Sequence, residues 1–258
     1  MHPVVDLNHG SGFVYLRPPA VSATGLRVNA SIDAALEAAD RARTPRDYLG
    51  ASRIGEPCAR KLVYEYTRTP KDEGKDFDGA ILRIFDAGHQ FEALSARWLR
   101  AAGFDLRTER KDGGQFGFSV ADGRIRGHID GVLVAGPEIG IAWPALWEHK
   151  ALRAKSWTDL VKRGLRISKP VYWAQVQIYM GYLEVPVTLF TVMNKDTQEL
   201  YHEVVRYDAA EAQALSDNAV EVIRAAEAGE LPARIASAPD FYLCRMCAYA
   251  RRCWEAEA

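Results

Sequence analysis

Apolar residues recur at helical spacing through DGAILRIFDAGHQFEALSARWLRAAG, where Ile84, Phe91, Leu94 and Trp98 share a face, and this predicts a helix over residues 78–103 stopped by Gly103. The period then shortens. GQFGFSVADGRIRGHIDGVLVAG alternates apolar and polar positions and is cut by Gly and Asp-Gly turns, which predicts short strands. Residues 142–152, with PALWEHKAL apolar on both sides of its charges, read as a further strand. Residues 172–183 have helical character, Val187–Met193 is β-branched and strand-like, Tyr201–Tyr207 can pair with it, and 209–229 is Ala-rich and helical. Upstream, a short helix is expected over Ser31–Arg43 with Ser31 as its cap. Another is expected from Pro57 to Tyr66, with Cys58 in its first turn. The order helix, strands, helix, strands, helix implies an α/β fold with a mixed central sheet flanked by helices. Residues 1–47, rich in Pro, Gly and Ala, read as an N-terminal extension to a denser domain over 48–258.

Composition narrows the setting. The 258 residues are 48% hydrophobic and 26% charged, ordinary for a soluble globular protein. No run approaches the ~20 apolar residues of a membrane span. The start, MHPVVDLNHG, lacks the basic residues and apolar run of a secretory signal, so a cytoplasmic setting is expected. A net charge of -1 excludes a uniformly basic nucleic-acid binder but leaves room for a local basic surface.

One polar set stands out. Asp130 opens the segment DGVLVAG, and Glu148 and Lys150 sit two apart in WEHKAL. On a strand, residues two apart share a face, so Glu148 and Lys150 project together while His149 turns away. If the two segments are neighbouring strands, Asp130 approaches Glu148. Two carboxylates and a backbone carbonyl make a hard oxygen site of the kind Mg²⁺ or Mn²⁺ prefers. A lysine beside it can orient water or stabilise charge on a phosphate oxygen. A Glu-x-Lys triplet is usually a solvated strand face, but apolar flanks on both sides suggest a buried strand, where unpaired charge is costly.

An Asp followed by a strand with Glu-x-Lys resembles the PD-(D/E)XK nuclease superfamily, whose core is restriction-endonuclease-like. Its RecB-like exonucleases also carry a helical Gln-x-x-x-Tyr after the lysine, matched by Gln175 and Tyr179. They carry an earlier helical Gly followed by His or Glu, matched by Gly88 with His89 and, at the family spacing, Glu92. The resemblance implies that Glu92 or His89, Asp130, Glu148 and the His149 carbonyl bind Mg²⁺ or Mn²⁺. It gives Lys150 the role of positioning the attacking water, and gives Gln175 and Tyr179 the role of holding substrate or supporting the metal.

The cysteines follow the same order. Three of the four, Cys244, Cys247 and Cys253, crowd into LCRMCAYARRCWE, and Cys58 lies far upstream. Four thiolates can hold zinc or an iron–sulfur cluster, and spacing alone does not choose. One cysteine before the core and three after it is similar to the iron–sulfur branch of these nucleases, with its CRISPR-associated, AddB-like and phage-encoded members. That resemblance implies a 4Fe–4S cluster stapling the N-terminal helix to the C-terminal tail.

The basic residues Arg153, Lys155, Lys162, Arg163, Arg166 and Lys169 lie between the Glu-x-Lys strand and the Gln-x-x-x-Tyr helix, where the plain alternative to a substrate surface is a solvated basic loop. They can contact phosphates. Trp157 and Tyr172 are candidates for stacking on single-stranded bases, with Tyr172 and Trp173 better placed in the core. The expected function is a metal-dependent DNA exonuclease of phage recombination, DNA repair or CRISPR-type DNA processing, acting in a bacterial cytoplasm, with a recombination or repair protein as partner. The alternative is a catalytically inactive DNA-binding or assembly module with a zinc or iron–sulfur staple.

Overall fold

The computed structural model describes residues 22–255. The chain divides into two compact units: residues up to Arg43 with Phe77–Arg83, and Thr44–Asp76 with everything from Ile84 onward.

In the first unit, α1 (Ala23–Arg41) starts well before the expected helix. Its cap is Ser22, whose hydroxyl accepts from the Gly25 N–H at 3.0 Å. Ser31 lies inside the helix and instead donates to the Arg27 carbonyl at 3.0 Å. No proline follows Ser22, and Gly25 alone costs too little to stop the helix. The beginning of α3 (Gly79–Ala101) belongs to the same unit. There Arg83 pairs with Asp33, and the Glu37 carboxylate accepts from the Gly79 N–H at 3.0 Å.

In the second unit, Cys58 stands at the N-cap of α2 (Ala59–Tyr66) and not within its first turn. Helix α3 ends as its pattern predicts, at Gly103, whose φ of +91° is open to glycine at little cost. Two sheets follow. The larger has five strands in the order β2 (Asp105–Arg107), β5 (Gly131–Ala135), β6 (Ala145–Leu152), β7 (Val187–Asn194), β8 (Leu200–Arg206). The smaller places β4 (Ile125–His128) between β1 (Leu49–Gly50) and β3 (Gly117–Val120). The larger sheet is mixed: β6 runs parallel to β7, with Glu148 beside Phe190 and Lys150 beside Val192, while β5 and β8 run antiparallel to their neighbours.

Parallel neighbours need a long crossover, and α4 (Ala154–Ser168) and α5 (Pro170–Leu183) supply it. Helix α4 is the basic stretch whose plain alternative was a solvated loop. Its apolar positions, Trp157, Leu160, Val161 and Leu165, keep helical spacing, but the arginines and lysines between them mask it. It kinks at Gly164, whose φ of +72° leaves the helical region. Helix α5 is buried all round its middle turns, from Ala174 to Met180, as expected of a helix lodged in the core with no polar stripe. Helices α6 (Ala209–Glu227), α7 (Tyr242–Arg245) and α8 (Ala250–Glu255) complete the unit. Two cores result. One joins Leu146, Phe190 and Val192 to Val176 and Ile178 of α5; the other joins Trp147, Leu133 and Leu189 to Ala96 and Leu99 of α3. Among the described residues no helix is long and apolar enough to cross a membrane.

Candidate active site

Strand β6 presents different chemistry on each face. Glu148 and Lys150 point toward α5, and Trp147 and His149 toward α3. Glu148 is 1% exposed, in the middle of the sheet. Its Oε1 takes the Lys150 ammonium and, at 2.7 Å, the Gln175 side-chain N–H. Gln175 also donates to the Tyr179 hydroxyl, one turn along α5, at 2.9 Å. The Lys150 ammonium lies 5.4 Å from the centre of the Tyr172 ring. Asp130, in the turn from β4 to β5, accepts the His149 backbone N–H at 2.8 Å. Antiparallel pairing of Gly131 with Trp147 holds that turn against β6.

Glu92, on α3, is half-buried and close enough to feel the charges of Asp130 and Lys150. His89, one turn earlier, is 78% exposed, with Nδ1 3.9 Å from the Glu92 carboxylate, so it stands at the mouth of the site. The His149 ring faces the other way, its Nε2 3.0 Å from the Ser95 hydroxyl and its centre 5.8 Å from that of Trp147. Sequence reading passed over Ser95. Its signal is a small polar residue on the apolar face of α3, one turn after Glu92.

Electrostatics tie the carboxylates together. Burial pushes the Glu148 carboxyl up to about 8, aided by Asp130 and Glu92 and opposed by Lys150. Burial and the Asp130 charge raise Glu92 to about 7, again against Lys150. Asp130 is raised by burial, opposed by Lys150, the His149 N–H and His89. Burial works against the Lys150 ammonium, but Glu148 and Asp130 outweigh it and hold its pKa above the ordinary lysine value. Burial and Lys150 depress the His149 ring to about 3, so it stays neutral.

These residues fit a divalent cation. Glu148 Oε2 is buried with no hydrogen-bond partner, an atom whose desolvation a cation would offset. The donors are hard oxygens, and the surplus negative charge is what Mg²⁺ or Mn²⁺ neutralises. Among the described residues no three His, Cys, Asp or Glu side chains converge on one point as they stand; the nearest positive charge on Glu148 is Lys150.

The basic residues of α4 are largely exposed but engaged. Arg163 pairs with Asp159 at 3.4 Å, Lys169 with the same carboxylate at 3.7 Å, and Arg166 with Glu211 at 2.9 Å. Arg166 also stacks on Trp173, 5.2 Å from its ring centre. Trp157 packs against the core with its indole N–H buried, so it is not the exposed stacking platform expected; Tyr172 packs on Phe190 at 6.3 Å.

Far along the chain from these residues, Cys58, Cys244, Cys247 and Cys253 all line one cavity of about 280 Å³. The Tyr249 N–H donates to Cys247 Sγ at 3.4 Å, and Arg60 Nη1 lies 3.9 Å from Cys253 Sγ. Burial raises the Cys247 thiol. Four thiols around one cavity, with N–H donors aimed at sulfur, fit a cysteine-ligated group.

No family model and no curated protein matches the chain. Solved structures do. An alkaline exonuclease, LHK-Exo from Laribacter hongkongensis, superposes with TM-score 0.50 at 16% identity, over 72% of this chain and 90% of its own. LHK-Exo in complex with dAMP gives 0.52 at 16% identity, over 89% and 100%. SSO0001 gives 0.51 at 14% identity, over 88% and 96%. At such identities the likeness is one of fold: the chain has the mixed α/β architecture of LHK-Exo and SSO0001, with Asp130, Glu148 and Lys150 at its centre.

Proposed function

We propose that this chain is a divalent-metal-dependent DNA exonuclease. The observation that carries the reading is Glu148, fully buried yet ionisable, with one oxygen on Lys150 and Gln175 and the other without a partner. The fold it shares with an alkaline exonuclease, one structure of which holds dAMP, supports DNA as substrate.

In this reading Asp130, Glu148, Glu92 and the His149 carbonyl hold Mg²⁺ or Mn²⁺. The ion, when bound, lowers the pKa of water and neutralises charge on the scissile phosphate. Lys150 then has two tasks. Its ammonium opposes the rise that burial gives the Glu148 carboxyl, and it places the attacking water and stabilises the phosphate oxygens as charge builds. Gln175 fixes the Glu148 carboxylate, and Tyr179 fixes Gln175. His89 stands at the mouth, where substrate enters. Exposed Arg153, Lys155 and Lys162 on and beside α4 supply phosphate contacts.

Cys58, Cys244, Cys247 and Cys253 hold a 4Fe–4S cluster as a clamp. The shared cavity supports this.

Digestion of end-labelled linear and closed circular DNA, with Mg²⁺, Mn²⁺ or chelator, tests the function. Linear DNA should shorten from its ends with either metal, circular DNA should survive, and the Glu148→Ala protein should leave both intact. Intact linear DNA under all conditions would overturn the reading in favour of an inactive module, and equal cutting of circles would replace exonuclease by endonuclease.

A further inference from the structure

His149 sits where the three carboxylate-bearing elements meet. Its neighbours along β6 are Glu148 and Lys150. Its backbone N–H donates to Asp130 Oδ2 at 2.8 Å, tying β6 to the β4–β5 turn. Its ring crosses to the opposite face of the sheet, where Nε2 lies 3.0 Å from Ser95 Oγ on α3. Ser95 is 2% exposed. Three residues before it, on the adjacent turn of α3, is Glu92.

Around this bond the contact of α3 with β6 is apolar, with Ala96 and Leu99 clustered with Trp147 and Ala145, and the other polar tie of α3 to the sheet lies at its last turn, where Arg100 Nε donates to the Leu106 carbonyl of β2 at 2.9 Å. Apolar contacts set the separation of a helix and a sheet but discriminate weakly against rotation. A buried hydrogen bond does discriminate, because either partner left unpaired there is costly. Rotating α3 by one residue, about 100°, would carry Glu92 away from Asp130 and Glu148.

We infer that Ser95 and the His149 ring form a positioning pair that sets the rotation of α3 and so aims Glu92 at Asp130 and Glu148. Neither side chain touches substrate; both act through Glu92. The inference rests on reading the three carboxylates as a divalent-metal site. It gives the residue between Glu148 and Lys150 a reason to be histidine: its backbone serves one side of the sheet and its ring the other.

The test is calorimetric titration of Mn²⁺ into chelator-treated protein, with kcat and KM measured on linear duplex. The variants are Ser95→Ala, His149→Phe, His149→Gln, Glu92→Gln, Glu92→Gln with Ser95→Ala, and Glu148→Ala. Ser95→Ala and His149→Phe should each weaken the metal about 10-fold, the scale of losing a group that orients a ligand, and lower kcat with KM for DNA unchanged. His149→Gln, whose amide can still meet Ser95, should recover most of the loss. Ser95→Ala should add nothing once Glu92 is Gln. Wild-type metal affinity in Ser95→Ala, or an equal loss in the Glu92→Gln background, would overturn the inference alone. Wild-type metal affinity in Glu148→Ala would overturn the metal-site reading and this inference together. Should His149→Phe fail to fold, Ser95→Ala, which removes one hydroxyl, still decides.

Discussion

At the scale of single residues, the site stores protons. Glu148 and Glu92 titrate near 8 and 7 in the folded chain against an ordinary 4.5. Between those limits the folded state binds more protons than the unfolded, so their contribution to stability is full at low pH and is lost as pH rises toward 8. His149, depressed to about 3 from 6.5, acts the other way, but only below 6.5. Lys150 is raised, and its contribution is lost only above the ordinary lysine range. From pH 6.5 to 8 the carboxylates therefore act alone. The thermal midpoint of metal-free protein should fall across that window, Glu148→Gln should flatten the fall, and millimolar Mg²⁺ should offset it by binding the deprotonated site; scanning fluorimetry with chelator and with Mg²⁺ reads all three. Lys150→Ala should separate from Glu148→Ala. Lysine is no ligand in this scheme, so it should lower kcat by about 10²–10³-fold, the scale of removing one donor from a developing anion, while metal affinity survives. Metal binding lost as fully as in Glu148→Ala would merge the two roles.

At the scale of elements, legibility in the sequence followed periodicity. Helix α3 announced itself because apolar residues at helical spacing, Ile84, Phe91, Leu94 and Trp98, lead up to Gly103. Strand β7 did so because it is buried at every position, which selects a continuous apolar and β-branched run. Helix α4 hid because only Leu160 and Leu165 are buried and the residues between are basic. Helix α1 was cut short because it buries nothing, so no stripe marked where it began. The spacing of Glu148 and Lys150 was readable from the pleat alone. Which elements meet around them was not: Ser95 against His149 is a pairing across a helix and a sheet, and single-sequence patterns carry no such information. Close packing between elements is testable at Gly127 in β4. A Cβ there would come within 2.6 Å of the Tyr179 ring, 2.6 Å of Phe118 and 2.8 Å of Ala51. Gly127→Ala should cost about 1–3 kcal/mol, as overpacking does, and should lower activity by moving Tyr179 off Gln175. Urea denaturation together with the exonuclease assay would check both, and unchanged stability would mean that the β4–α5 contact yields freely.

At the scale of the molecule, residues early and late in the sequence meet around the cysteines. Cys58 precedes α2, Cys244 lies on α7 and Cys253 on α8. Ordinary contacts join the same segments. The rings of Tyr64 and Tyr249 lie 5.1 Å apart, the Asp72 N–H donates to the Ala248 carbonyl at 2.8 Å, and the Asp72 carboxylate accepts from Arg251 N at 2.7 Å. Helices α7 and α8 are only a turn or so long, too short to hold themselves. A group bonded to all four sulfurs would close a loop spanning most of the chain and remove much of the entropy of the unfolded tail, so its binding free energy becomes folding free energy. Protein purified without oxygen should carry about four irons per chain and absorb broadly near ~400 nm, as 4Fe–4S thiolate clusters do. Each of Cys58→Ser, Cys244→Ser, Cys247→Ser and Cys253→Ser should lose iron and lower the thermal midpoint by a similar amount. Asp72→Ala, which removes the two hydrogen bonds its carboxylate accepts from Arg251 N and Arg252 N and no thiolate, should lower the midpoint less and keep the iron. Stoichiometric zinc without iron would replace the cluster but keep the clamp. Normal metal content in Cys58→Ser would remove the clamp itself, leaving the tail to contacts such as Tyr64 on Tyr249, Asp72 on Arg251 and Arg60 on the Pro232 carbonyl.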